Sequence, residues 1–99
     1  MFKNGMRPVH PGEILREDYL KELGMSANAL AKALNVPAPR VNDIVRERRG
    51  VTADTALRLA RYFGSSPQFW LNLQAAYDLR VAEIENAKRI EREVQSAAA

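Results

Sequence analysis

Apolar residues recur at three- and four-residue spacing along most of this chain, and each run stops at a residue that favours turns. The pattern predicts an all-α protein of five helices. Ile14, Leu15, Tyr19, Leu20 and Leu23 define the first, which Pro11 and Glu13 open and Gly24 ends. Ser26 is a good N-cap for the second, over residues 27–34. Asn35 to Ala38 make a tight corner, because Asn tolerates positive φ better than most residues other than Gly. Pro39 fits only the first turn of a helix, which places the third over residues 39–47. Arg48, Arg49 and Gly50 read as a basic turn. Thr52 then caps a fourth helix over 53–63, with Ala56, Leu57, Leu59, Ala60 and Phe63 inward and Gly64 closing it. Ser66-Pro67 opens the last helix, whose face carries Phe69, Trp70, Leu73 and Tyr77. Its pattern continues through Val81, Ile84 and Ala87, with Glu85 and Arg89 at i,i+4 spacing, so it is either long or broken near Tyr77-Asp78. The expected organisation is one domain over 1–99: an irregular arm over 1–10, a helical domain over 11–77, and a helical extension with a frayed tail over 78–99.

The segment from Ala27 to Arg46 is the most informative. Ala31 is small enough to let a second helix approach, and Val36, Val41 and Ile44 return that helix onto Leu30 and Leu34. This is the pattern of a helix-turn-helix, whose second helix lies in the DNA major groove. A plain helical corner without a ligand would share the periodicity. Charge favours the first reading. Net charge is only +3, but residues 26–50 carry five basic side chains against two acidic, whereas 1–25 balance and 78–99 lean acidic. The excess sits where a phosphate-facing surface belongs.

Groove-facing side chains come from the start of the second helix of the pair and from one face thereafter. Ala38 and Pro39 suit packing on a thymine methyl, Asn42 a bidentate pair with adenine, and Arg40 or Arg46 a pair with guanine. Asp43 either accepts from cytosine N4, orients Arg40 or Arg46, or is a plain exposed residue paired with an arginine. Arg48 and Arg49, in the turn beyond, suit phosphate, as do Ser26 and the first amides of the helix it caps. So small a module makes few contacts, which predicts a homodimer on a two-fold site with its copies about 34 Å apart.

Other chemistry is poorly supplied. There are no cysteines and His10 is the single histidine, so neither a His/Cys metal site nor a hydrolytic triad is expected, and no cofactor or enzymatic activity with it. No apolar run approaches the ~20 residues that span a bilayer, and the N-terminus lacks the apolar core of a secretory signal, so the expected location is the cytoplasm, with no membrane partner. Phe69 and Trp70 sit in an apolar run and are expected as core or dimer-interface anchors.

The stretches HPGEIL (His10 to Leu15), LNVP (Leu34 to Pro37), RRGVTADTALRLARYFG (Arg48 to Gly64) and SPQFWLNLQAAYDL (Ser66 to Leu79) resemble the HigA/VapI-type antitoxins of the phage-repressor-like helix-turn-helix class. The resemblance implies a small bacterial protein that binds a HigB-like toxin, a ribosome-dependent mRNA interferase of the RelE type, and that binds double-stranded operator DNA to repress its own operon. It carries the DNA-reading positions onto Pro39, Arg40, Asn42 and Asp43. It places a toxin surface only loosely: His10, Glu13, Arg16 and Glu17 are one candidate set, and the acidic-leaning segment after Asp78 is another. A stand-alone helix-turn-helix repressor without a toxin partner would use the same DNA-facing residues.

Overall fold

The computed structural model describes residues 6–98, so residues 1–5 of the expected arm and Ala99 of the tail lie outside the described residues. Five helical runs follow one another, with no strand among the described residues. The first, α1, occupies residues 11–23 and changes register twice. It is α-helical over Pro11–Ile14, π-helical over Leu15–Leu20 and α-helical again over Lys21–Leu23. The wider turn, with its i→i+5 bonds, puts Leu15 and Leu20 on one face, and these are the two buried leucines of the helix, 1% and 6% exposed. Leu23, expected inward, is exposed as a consequence of that shift in phase. Then come α2 (Ala27–Leu34), α3 (Ala38–Val45), α4 (Ala53–Phe63) and α5 (Pro67–Glu93).

Local chemistry sets most of these boundaries. The hydroxyls of Ser26, Thr52 and Ser66 accept from the amides of Ala29, Thr55 and Phe69, which satisfies donors that the first turn leaves free. At the other ends, four helices close with one device: a residue in the left-handed region, followed by an amide that bonds back five residues. The left-handed residues are Gly24, Asn35, Glu47 and Gly64. The bonds run from Met25 to Leu20, Val36 to Ala31, Arg48 to Asp43 and Ser65 to Ala60. Here the third helix departs from expectation. It starts at Ala38, with Pro37 as N-cap, and ends at Val45, because Glu47 takes a φ of 62° and cannot extend it.

The core holds Leu15, Leu20, Leu30, Ala31, Leu34, Val41, Ile44, Val51, Ala56, Leu59 and Trp70. Trp70 is fully buried, donates from Nε1 to Ser65 Oγ at 3.1 Å, and has Tyr19 and Phe69 about it at ring distances of 5.1 and 5.0 Å. Phe69 itself stays partly exposed. On α4 the buried face is Thr55, Ala56, Leu59 and Ala60, and Leu57 lies outside it at 60% exposure, contrary to the expected inward set. α1 crosses α3 at Gly12, where a Cβ would stand 1.8 Å from the Ile44 carbonyl oxygen, so only glycine permits the approach. α5 is long and unbroken. Its first half packs on α4, while the distal half projects and leaves Leu79, Ile84 and Ile90 exposed, which stretches the molecule to 52 × 21 × 21 Å. Glu85 and Arg89 form no pair there; Arg89 meets Glu93 instead at 3.8 Å. No helix of the described residues is long and apolar enough to cross a membrane.

Candidate nucleic-acid interface

α2 and α3 form the helix-turn-helix. Ala31, 1% exposed, lies at their contact, and Asn35 turns the corner at φ 57°. α3 buries Val41 and Ile44 and turns the rest of its surface outward: Pro39 is exposed, while Ala38, Arg40, Asn42 and Asp43 are half-buried. Arg46 caps the helix end, and with Arg48 and Arg49 it extends the outward surface into the following turn.

Most of the polar groups on this surface are already held. Asn42 Nδ2 donates to Asn28 Oδ1 at 2.7 Å and to the Ala38 carbonyl at 3.0 Å, so its amide is fixed from both helices of the pair. Arg40 Nη1 donates to Asp54 Oδ2 at 2.7 Å, and the same oxygen takes Arg58 Nε at 2.8 Å. Those two bonds, Arg58 first and then Arg40, hold the Asp54 carboxyl below the ordinary aspartate value. Asp43 lies 3.6 Å from Arg49. The expectation that Asp43 orients Arg40 or Arg46 is thereby corrected: Asp54 takes the first of these, and the arginine that Asp43 meets is Arg49. Among the described residues Arg46 and Arg48 have no acidic partner. Ser26 lies at the outer end of α2, its hydroxyl oxygen committed to the Ala29 amide.

Asn28, Asp54 and Arg58 were absent from the sequence reading. Asp54 and Arg58 stand four apart on one helix, a spacing visible in the sequence. The reach of Asp54 to Arg40 and of Asn28 to Asn42 depends on how the helices pack, and no local pattern announces it. The turn after α3 is also tied down: Gln74 on α5 accepts from the Val51 amide at 2.7 Å, packed so closely that a Cβ on Gly50 would meet Gln74 at 3.0 Å.

The four candidate toxin residues turn out to be engaged within the fold. His10 is 4% exposed; it caps α1 by accepting from the Gly12 amide at Nδ1, 2.8 Å, and its ring packs edge-on against Tyr77. Its place among the residues offered to a toxin is thereby corrected, because a side chain in the interior has no surface to offer, and burial holds its pKa below the ordinary value. Glu13 makes a two-pronged pair with Arg7, which holds its carboxyl low. Arg16 donates to the Val45 carbonyl at the end of α3 and also meets Glu47 at 3.4 Å and Glu17 at 2.9 Å. Glu17 bonds Lys21 as well, and the two cations, Lys21 first, hold it low. Only Glu13, Arg16 and Glu17 therefore keep partly exposed side chains. No group of His, Asp and Glu side chains among the described residues could hold a metal ion.

A compact helical core that presents one short helix, a fixed asparagine and a basic turn defines a helix-turn-helix protein. A family model described as "Helix-turn-helix" matches residues 17–70, which take in α2, α3 and α4. The chain is 68% identical over 81 residues to virulence-associated protein I of Dichelobacter nodosus, covering 82% of this chain and 75% of that one. It is 41% identical over 80 residues to antitoxin HigA-1 of Vibrio cholerae, covering 80% and 74%. Among solved structures, Pseudomonas aeruginosa antitoxin HigA with the higBA promoter superposes at a TM-score of 0.90 with 57% identity, covering 92% of this chain and 99% of that one. The chain belongs to the helix-turn-helix family of the HigA antitoxins and virulence-associated protein I.

Proposed function

We propose that this protein is the antitoxin of a two-component toxin–antitoxin pair: a non-enzymatic, cytoplasmic homodimer that represses its own operon and neutralises a HigB-like mRNA interferase. The observation that carries the reading is the likeness, at 57% identity, to a HigA antitoxin bound to promoter DNA, combined with an α3 whose outward face is built for contact. α3 enters the major groove with Pro39, Arg40, Asn42, Asp43 and Arg46 toward base edges and Ala38 beside them, while Arg48, Arg49 and Ser26 meet phosphate. Both amide hydrogens of Asn42 are taken, by Asn28 and by the Ala38 carbonyl, so its fixed Oδ1 is free to accept from adenine, and a bidentate pair requires one of those two bonds to be released on docking. The partly exposed Glu13, Arg16 and Glu17 and the acidic-leaning end of α5 are the surfaces offered to a basic toxin.

Gel shifts on the gene's own promoter over a range of salt test the DNA half. Arg40→Ala should weaken binding by roughly 1–3 kcal/mol, as loss of a base contact does. Arg49→Ala should instead lower the salt slope by roughly one unit. Unchanged affinity in both variants would move the DNA surface elsewhere. Co-expression with the neighbouring reading frame tests the toxin half: the two proteins should co-purify and growth should be restored, and failure of both would leave a stand-alone repressor.

A further inference from the structure

Asp54 lies outside the helix-turn-helix, in the first turn of α4, yet it is the group that holds the arginine of α3. One carboxylate oxygen takes Arg40 Nη1 at 2.7 Å and Arg58 Nε at 2.8 Å, and Arg58 Nη1 donates to the carbonyl of Leu34 at 2.9 Å. Leu34 is the last residue of α2. A single chain of bonds thus runs from the end of α2 through α4 to the reading helix. The Asp54 side chain is 56% exposed and Arg40 32%, so the pairs add little to stability in water. What they fix is geometry. A guanidinium held by a carboxylate behind it has fewer positions to lose on docking, and the negative charge beside it weakens its attraction to any passing phosphate.

Resting on the reading of this protein as an operator-binding repressor, we infer that Asp54 is a specificity-setting positioning residue: it aims Arg40 at one base of the operator and suppresses its indiscriminate binding to phosphate. Freed from Asp54, Arg40 swings to whichever phosphate is nearest, as a long flexible cation does. Affinity for operator then falls while affinity for unrelated DNA rises.

The test compares the full chain with Asp54→Asn and Asp54→Glu on two duplexes of equal length, one spanning the gene's own promoter and one scrambled, with Glu91→Gln on the exposed distal part of α5 as a control for charge alone. Asp54→Asn should lower the ratio of promoter to scrambled affinity by roughly tenfold, with scrambled binding rising a few-fold. Asp54→Glu keeps the charge but sets it one methylene further out, so it should lower promoter affinity and leave scrambled binding unchanged. Thermal unfolding shows whether each variant is folded, and a loss of stability with an unchanged ratio means that Asp54 is structural and overturns the inference. An Asp54→Glu chain indistinguishable from wild type also overturns it, because charge would then suffice without position. Wild-type protein that shows no preference for the promoter overturns the repressor reading itself, and this inference with it.

Discussion

His10 accepts the Gly12 amide hydrogen at Nδ1, so that nitrogen is unprotonated in the folded chain, and the interior around it disfavours the imidazolium. Burial is the largest influence on its pKa and lowers it; Glu47 and Asp78 pull the other way, and Arg16 adds to the lowering. Unfolded, the same ring titrates near the ordinary 6.5. The sign follows from counting protons. As pH falls through about 6.5, the unfolded chain takes up a proton that the folded chain refuses, so the unfolded state gains and stability drops. The contribution is therefore complete above that value and lost below it. Glu13, Glu17 and Asp54 are all held below their ordinary values, so their losses begin only in more acid solution. Between about pH 7.5 and 5.5 the melting temperature of wild type should fall, and His10→Asn, which keeps a capping oxygen but does not titrate, should flatten that fall. Equal falls in the two proteins would show that His10 is not the group responsible. Nothing in the sequence marked this role: histidine is an uncommon cap, and its burial depends on Tyr77, a residue sixty-seven positions away.

Helices in this fold are placed by their ends and by a few close approaches. The ends marked by Ser26, Thr52, Ser66, Gly24, Asn35 and Gly64 were legible, since each residue type has a local reason to be there. The end of α3 was not. Glutamate has no preference for the left-handed region, and Glu47 is held in it by the Arg48-to-Asp43 bond and by Arg16 reaching from α1. The π-helical stretch of α1 was equally hidden, because its five-residue spacing of Leu15 and Leu20 is drowned by the other apolar residues around them. Of the DNA-facing set, the helix and its outward residues could be read from periodicity, whereas their partners on α2 and α4 belong to packing. Gly12 is the clearest case of packing at this scale. Its missing side chain lets the start of α1 rest on the Ile44 backbone, directly beneath the reading helix. Gly12→Ala places a methyl where the carbonyl stands, so α1 must lift off α3. Overpacking of this kind costs typically 1–3 kcal/mol, and the overlap here puts the expected loss at the upper end, about 3 kcal/mol by denaturant unfolding. A loss below about 0.5 kcal/mol would mean that the two helices slide apart freely, and that α3 is not braced from behind.

Charge and shape divide the molecule into two ends. The helix-turn-helix and its turn carry the basic excess, and the distal part of α5 carries five acidic side chains against four basic, so the field turns the first end toward DNA and the second away. With eight residues, α3 is only about 12 Å long and brings about three or four side chains to base edges, too few to select one site among many. The proposed homodimer resolves this by placing two α3 helices on one face of the duplex, one helical turn apart, so that the second contact becomes intramolecular once the first is made. Spacing then matters as much as sequence. Inserting five base pairs between the half-sites of the promoter rotates one of them by about half a turn, to the far side of the duplex, where a second α3 joined to the first through a folded interface cannot follow. Affinity in a gel shift should fall toward that of an isolated half-site, by roughly a hundredfold or more if the two contacts are well matched. Mutating every base of one half-site in the native spacing should produce the same loss, because both changes silence one α3 and leave the other intact. Binding that tolerates the five-base-pair insertion would mean that single chains bind independently, and the basic turn would then have to supply the affinity that the second copy was proposed to provide.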